Sequence, residues 1–402
     1  MPGVASKKSL AIIGAGWAGF PVTQGVDLSL YSVTVISPVR TIQYTPLLAS
    51  AACGLFDFRL AEEPIRRQKR TDVKYYKAMA ESIDFDKRTI SCRHAVEDLG
   101  RSRETFQVKY DRLVLAMGCD IQTFNTPGAF EHALFLRTTN DARIRELLHI
   151  RVVGGGAIGI EATAELHDLW EESMQYLYPH LQGKLQITIH DVADQVLTTF
   201  DESLSQYAMK SMMKKGVELK TSSHIEKVEA DAIYTKEDGK LPYGMLLWAT
   251  GNKANSLMDK LDVKTPEKGM PRILTNHQLQ VLRPDGQIME DVFAAGDAAD
   301  IDGDSLPMLA EAALQKGEYL TKELNKGDSG FQTRFNYEQK ANLAYLGQKD
   351  GVVGGKSEWT GAGAWLAWRS GSVAWTRSWR RKAWILYSWI WVWFNGRDIA
   401  RK

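Results

Sequence analysis

The stretch Ser9-Leu10-Ala11-Ile12-Ile13-Gly14-Ala15-Gly16-Trp17-Ala18-Gly19 decides the fold. A short apolar run opens directly into glycines spaced G-x-G-x-x-G, and a second β-like run, 31–36, follows. That is the strand–turn–helix–strand rhythm of a dinucleotide fold. The same order returns at 150–153, Gly154-Gly155-Gly156-Ala157-Ile158-Gly159, a helical pattern through Trp170, and a strand pattern at 185–190. In such a loop the first glycine makes the tight turn after the strand. The second lets backbone approach a pyrophosphate, and the third allows close helix–strand packing. One loop is weak evidence. Two, each between a strand pattern and a helix pattern, mark an internal duplication of a nucleotide-binding unit.

Working outward, the residue ending each second strand separates the two units. Asp191 stands there in the second, placed to bond ribose hydroxyls and to repel the 2′-phosphate of NADPH. The first unit has Ser37 instead, followed by Pro38; Ser37 bonds a ribose less strongly than a carboxylate, and Arg40 reads as a solvated surface arginine. Residues 112–116 read as a buried strand ending in Met117-Gly118, and 245–249 as another ending in Thr250-Gly251. A third strand-to-loop signal, Asp291-Val292-Phe293-Ala294-Ala295-Gly296-Asp297, precedes a helix expected from about Pro307 to Leu324. A lone carboxylate ending a late strand suits a flavin's ribityl–pyrophosphate arm, so FAD is placed in the first fold and NADH in the second. Gly118, Gly251 and Gly296 are counted with the cofactor-binding residues.

The expected class is α/β, two Rossmann-like dinucleotide-binding domains in a glutathione-reductase-like arrangement, plus a C-terminal amphipathic helical segment. The boundaries put FAD with 1–135 and 272–330, NADH with 136–271, and the C-terminal segment at 331–402, after the turn-rich Gly327-Asp328-Ser329-Gly330. Charge supports no nucleic-acid role: 50 Lys+Arg against 49 Asp+Glu leaves +1. Three distant cysteines, Cys53, Cys92 and Cys119, form neither a disulfide framework nor a metal site, and no C-x-x-C is present for dithiol chemistry. No run of about 20 apolar residues predicts a membrane span. Residues 1–8 are too short for a signal or transit peptide.

With its motifs in this order the chain resembles the alternative (type II) NADH:quinone oxidoreductases, nearest the fungal and plant mitochondrial kind. The matching pieces are 12–19, 33–38, 44–48, 152–168, 247–252, 291–300 and 343–347, and the endings 368–382 and 394–402 are the most specific. The resemblance implies a monotopic membrane flavoprotein passing two electrons from NADH through FAD to a quinone without pumping protons. It implies that Gly14, Gly16, Gly19, Ser37 and Asp297 hold FAD, with Thr45 beside the isoalloxazine. Gly154, Gly156, Gly159 and Asp191 hold NADH, and Glu161 stands near the nicotinamide–flavin contact. It further implies a mitochondrial location, although no presequence is seen.

Two departures stand out. Where the family has A-Q-x-A-x-Q lining its quinone pocket, this chain reads Ala310-Glu311-Ala312-Ala313-Leu314-Gln315-Lys316-Gly317. Gln315 is kept, while Glu311, as a carboxylate, cannot donate a hydrogen bond to a quinone oxygen unless protonated; Lys316 could pair with it. The second departure is the short link from Asp141 to Arg151. These leave room for a soluble relative recruited to a quinone-like or aromatic metabolite, and for a slow-turnover redox sensor that binds FAD and NADH.

Nine of the 12 tryptophans lie between Trp359 and Trp393. Residues 365–402 carry eight basic side chains against one acid, Asp398. Aromatic, basic, amphipathic helices settle at a bilayer interface, so peripheral membrane association through 365–402 is expected. The alternative packs these tryptophans on the flavin domain, or on a second copy in a homodimer.

Overall fold

A computed structural model describes residues 7–65, 72–95, 105–135, 148–355 and 358–397. The expected 135/136 boundary, most of the Asp141–Arg151 link, and Asp398 fall at or outside these limits. The chain packs as two compact units: 1–42, 64–120 and 252–339 form the first, and 43–63, 121–251 and 340–402 the second. This grouping by packing differs from the division by expected cofactor. It carries 43–63, with Thr45, and residues 340–402 of the C-terminal segment into the second unit, leaving 331–339 with the first.

The first unit is built on a ten-stranded sheet. At its centre, strand Lys8–Ile13 pairs in parallel with Tyr31–Ser37 and Arg112–Leu115, and the latter with Ile288–Ala294. Successive residues of Lys8–Ile13 enter different cores, as the period of two demands. Leu10 and Ile12 pack with Val22 and Leu320. Ala11 and Ile13 join Leu113, Leu115 and Ile273. A stretch buried on both faces must be apolar throughout, which is why residues 10–13 of the first strand lack alternation. Past Tyr31–Ser37 the sheet continues through Lys74–Asp84, paired in parallel, and then through Thr89–His94 and Thr105–Lys109, each antiparallel to the strand before it.

The second unit holds a five-stranded parallel sheet in the order 134–135, 245–248, 149–153, 186–190, 218–220. Helix Ala157–Leu169 leaves its glycine loop and runs on through a π turn at Trp170–Met174. Two small antiparallel sheets complete the unit. One, Asn342–Gly347, Asp350–Gly354 and Trp359–Thr360, is covered by helix Ala362–Trp375. Helix Trp379–Asn395 follows.

Two expectations need correction. The helix placed from Pro307 begins at Ala310, because Leu309 is extended. The Asp300 carboxylate accepts from Ser305 Oγ and Leu306 N at 2.6 and 2.9 Å and holds the preceding chain out of helical form. The tryptophan-rich end is also not one interfacial face. Trp368 is buried, and helix Ala362–Trp375 is part of the unit's packing.

Candidate functional site

The two glycine loops share one geometry. In the first, Gly14 N donates to Ile36 O (2.9 Å), Ala116 N to Ile13 O (2.8 Å) and Phe20 N to Gly16 O (2.9 Å). In the second, Gly154 N donates to His190 O (2.7 Å), Ala249 N to Val153 O (2.7 Å) and Ile160 N to Gly156 O (3.0 Å). Gly14 and Gly154 have φ of +93° and +107°, where L side chains are strained. A Cβ on Gly14 would lie 2.1 Å from Ala116 O, and one on Gly154 2.5 Å from Ala249 O. A Cβ on Gly19 would lie 2.1 Å from Gly14 O, and one on Gly159 1.9 Å from Gly154 O. Of the glycines within the two loops, Gly16 and Gly156 face open space, with nothing within 4 Å of a Cβ. Each loop is closed at its ends and open at its middle, as a backbone cradle for a pyrophosphate requires.

Other parts of the first unit converge on Ala18. A Cβ on Gly317 would meet Ala18 O at 2.4 Å, and one on Gly296 would meet Ala18 Cβ at 3.4 Å. The Gly296-Asp297 loop and helix Ala310–Leu324 are therefore seated on the first glycine loop. Arg272 fixes them from behind, its Nε on Asp297 O (3.1 Å) and its Nη1 on Asp300 Oδ2 (2.6 Å). Asn252 Nδ2 stands 3.5 Å from Asp297 Oδ2. Lys316 is buried, donates to Ala299 O at 3.3 Å, and is pushed down to about 8 by desolvation and by Arg272. The carboxylates acting on it are Asp300, Asp297 and Asp304.

Ser37 is buried and turned onto its own bend, its hydroxyl donating to Val39 O at 3.1 Å. Gly118 has φ of +66°, and both Gly118 and Gly251 border open space. Thr45 is exposed at the start of the turn Thr45–Leu47 in the second unit. Asp191 closes the second cradle, Oδ2 accepting from Gly155 N (2.5 Å) and Oδ1 from Ala193 N (2.8 Å). Behind it Arg151 Nη1 lies 3.0 Å from His190 Nε2. An arginine only donates, so the imidazole accepts there and presents its Nδ1 hydrogen to Ser223 Oγ at 2.9 Å. Desolvation, then Arg151, push His190 down to about 4.

Glu311 and Gln315 come together in the first unit. Gln315 Nε2 donates to Glu311 Oε1 (2.8 Å) and Glu338 O (2.9 Å), and its Oε1 accepts from Glu338 N (3.0 Å). The amide that the family pattern assigns to a pocket is here spent on the chain at Glu338.

Glu161 belongs to a row the sequence reading did not collect. Glu161, Glu165, Asp168 and Glu172 recur at spacings of four, three and four along the helix, one face of 3.6 residues per turn. Glu161 Oε1 accepts from Trp368 Nε1 at 2.7 Å and Tyr345 N at 3.3 Å. Glu165 accepts from Ser50 Oγ at 2.5 Å and faces Arg397 Nη1 at 3.4 Å. Asp168 accepts from the Tyr345 hydroxyl, and Arg397 reaches Glu172 at 2.9 Å and Cys53 O at 3.1 Å. The spacing was the signal that could have found these acids; their partners lie from 115 to 232 residues away and give no local sign.

Helix Trp379–Asn395 buries Ile385 and leaves Trp379, Trp384, Tyr387, Trp391, Trp393 and Phe394 exposed. Arg369 lies over the Trp389 ring at 4.0 Å and the Trp365 ring at 5.6 Å. No helix of the described residues is long and apolar enough to cross a membrane. Among them, no cluster of potential ligands could hold a metal ion.

The family model described as pyridine nucleotide-disulphide oxidoreductase matches residues 8–317. The chain is 30% identical to the internal alternative NAD(P)H-ubiquinone oxidoreductase A1, mitochondrial, of Arabidopsis thaliana, over 98% of this chain and 86% of that protein. It is 28% identical to the external alternative NADH-ubiquinone oxidoreductase, mitochondrial, of Yarrowia lipolytica, over 100% and 82%. Its fold matches that of NDH2 from Plasmodium falciparum in complex with NADH, with a TM-score of 0.88 at 20% identity over 98% of this chain and all of the other.

Proposed function

The chain belongs to the pyridine nucleotide-disulphide oxidoreductases, within their alternative NAD(P)H-ubiquinone oxidoreductase branch, and from that premise we propose that it passes two electrons from NADH through FAD to a quinone. The observation that carries this reading is the pair of cradles, one in each unit, closed at the outer glycines and open at Gly16 and Gly156. The residues of both fit a dinucleotide. Gly14, Gly16, Gly19, Ser37, Gly118, Gly296 and Asp297 would hold FAD, and the resemblance adds Thr45 beside its ring. Gly154, Gly156, Gly159, Gly251 and Asp191 would hold NADH.

FAD, when bound, supplies the two-electron chemistry between nicotinamide and quinone. The chain's own part is to bind, orient and handle protons. Asp191 sets the second loop through Gly155 N and Ala193 N and disfavours a 2′-phosphate by its charge. Glu161, pushed up to about 8 mainly by desolvation, can hold or release a proton near neutral pH. The exposed aromatic face of helix Trp379–Asn395, with Arg380, Arg381 and Lys382 at its start, suits the headgroup region of a membrane, and the mitochondrial relatives suggest which membrane.

Glu311 supports a second reading. With Gln315 spent on Glu338, an ionised Glu311 offers acceptors only, which fits a polar quinone-like metabolite better than a neutral quinone. An acceptor screen decides between them. Purified protein should be yellow, release FAD on denaturation, and oxidise NADH faster with ubiquinone analogues than with menadione, ferricyanide or oxygen. A colourless protein that cannot be reconstituted with FAD sinks both readings.

A further inference from the structure

Glu161 has a partner that nucleotide binding does not require. Trp368, from helix Ala362–Trp375, is 3% exposed and donates its indole N–H to Glu161 Oε1 at 2.7 Å. Its ring stacks on Tyr345, centroids 4.8 Å apart and planes 17° from parallel. Tyr345 in turn gives its backbone N–H to the same Glu161 oxygen and its hydroxyl to Asp168. Stacking fixes the indole plane, and the fixed indole aims one hydrogen at one carboxylate oxygen.

We propose that Trp368 is a positioning residue for the proton chemistry of this enzyme: it fixes the Glu161 carboxyl group and lowers its affinity for a proton, so the C-terminal segment takes part in the nicotinamide half-reaction. The inference rests on the proposed function, in which Glu161 handles a proton, and on the family resemblance that sets Glu161 near the nicotinamide–flavin contact.

The physical case is one of opposed effects. Desolvation favours the neutral carboxyl, while donors to the ionised form favour the carboxylate. Burial is the largest influence on Glu161, the Trp368 and Tyr345 hydrogen bonds oppose it, and Glu165 adds to it. The charged and titratable groups around it come from several elements. Glu165 and Asp168 share its helix, and Tyr345 comes from Asn342–Gly347. Arg369, from the helix of Trp368, acts on Glu165 and Tyr345. Arg397 pairs with Glu165, and Cys53, after helix Leu48–Ala52, lies close to both. Among the described residues Glu161 forms no salt bridge, so the indole is its strongest single donor.

Trp368→Phe keeps an aromatic ring to stack on Tyr345 and removes only the N–H. In full-length, flavin-loaded protein, infrared titration of the Glu161 carboxyl band, identified by its loss in Glu161→Gln, gives the protonation midpoint directly. Trp368→Phe should move that midpoint up by at least half a pH unit, about threefold in proton affinity for the loss of one hydrogen bond. The pH profile of kcat/KM for NADH with ferricyanide should move the same way, and Trp368→Phe should add no shift in the Glu161→Gln background. A variant that loses stability but keeps both midpoints would make Trp368 packing alone and overturn the proposal, leaving the proposed function standing. An unchanged profile in Glu161→Gln would also overturn it, while NADH:quinone turnover persisted. If Trp368→Phe does not fold, the ¹⁵N-indole signal that loses its pH dependence in Glu161→Gln serves instead. That signal should titrate with the carboxyl band in the natural chain, and a flat signal overturns the proposal.

Discussion

Arg397 Nη1 lies 3.4 Å from Glu165 Oε2, with the two side chains 3% and 2% exposed. The same guanidinium holds Glu172 and the Cys53 carbonyl, so it ties the end of helix Trp379–Asn395 to helix Ala157–Leu169 and its π turn. Removing one partner of a buried pair strands the other charge, at about 3–5 kcal/mol. Arg397→Ala should therefore lower the unfolding temperature by several degrees and open the 379–395 region to limited proteolysis. Arg397→Lys should recover only part of the loss, because an ammonium cannot span three acceptors as a planar fork does. A melting curve unchanged in Arg397→Ala would show that the pair does not hold the segment.

Glycine substitutions should separate cofactor binding from folding. Gly16→Val directs its side chain into space where a Cβ meets nothing within 4 Å, so the apoprotein should keep its stability while flavin retention falls at least tenfold. Gly317→Ala puts a methyl 2.4 Å from the Ala18 carbonyl and must push helix and loop apart. It should lose both flavin and stability. The ratio of 450 to 280 nm absorbance, with a thermal melt of each apoprotein, checks the contrast; equal stability loss in both variants would remove the distinction.

The two cradles were legible because glycines at fixed spacing after an apolar strand have few other uses. Both loops fold as their spacing demands, and the strands that carry them lie within one or two residues of the expected limits. Gly317 was legible only as part of a family pattern, since nothing local says that a helix must touch Ala18. The grouping of 43–63 and 340–402 with the second unit was not legible at all. It depends on Ser50, Tyr345, Trp368 and Arg397 meeting one acidic face, contacts over 100 or more residues that periodicity does not encode. The tryptophans misled for a related reason. Composition reports an aromatic segment, but which face of each helix finds a protein partner is decided by tertiary packing.

NADH should be preferred to NADPH by about 10²-fold, roughly 3 kcal/mol. Asp191→Asn keeps the shape but can accept only one of the two backbone N–H bonds from Gly155 and Ala193, its amide nitrogen opposing the other. The variant should raise the KM for NADH by about tenfold and erode the preference, with flavin content unchanged. Equal kcat/KM for both nucleotides in the natural protein would refute the placement of Asp191 at the ribose.

Truncation should give different results at two cut points. Removing 378–402 takes away the exposed aromatic helix and should release the protein from anionic liposomes, with a stability loss like that of Arg397→Ala. Removing 365–402 also strips Trp368 and Val373 from the cover of strands Asn342–Gly347 and Asp350–Gly354, and should cause aggregation. Sedimentation with liposomes and light scattering distinguish the two. Unchanged liposome binding after the shorter cut would end the interfacial reading of the helix.

The remaining prediction concerns Glu311, where this chain departs from the pattern of its family. Gln315 cannot stand in for the missing donor, because both its amide hydrogens and its oxygen are committed to Glu311 and the backbone of Glu338. A neutral quinone bound there would need a hydrogen from position 311, which an ionised carboxylate lacks. Glu311→Gln supplies it with nearly the same shape, and its amide oxygen can still accept from Gln315. One hydrogen bond contributes about 0.5–1.5 kcal/mol net, so reduction of ubiquinone analogues should quicken by a few-fold to about tenfold. NADH-dependent bleaching of the flavin in stopped flow should not change, because the substitution is aimed at the acceptor half-reaction alone. If Glu311→Gln instead slows quinone reduction while bleaching is unaffected, the carboxylate has work of its own, either delivering a proton to the reduced product or recognising a polar group on the substrate. The acceptor would then be better sought among hydroxylated, quinone-like metabolites than among respiratory quinones.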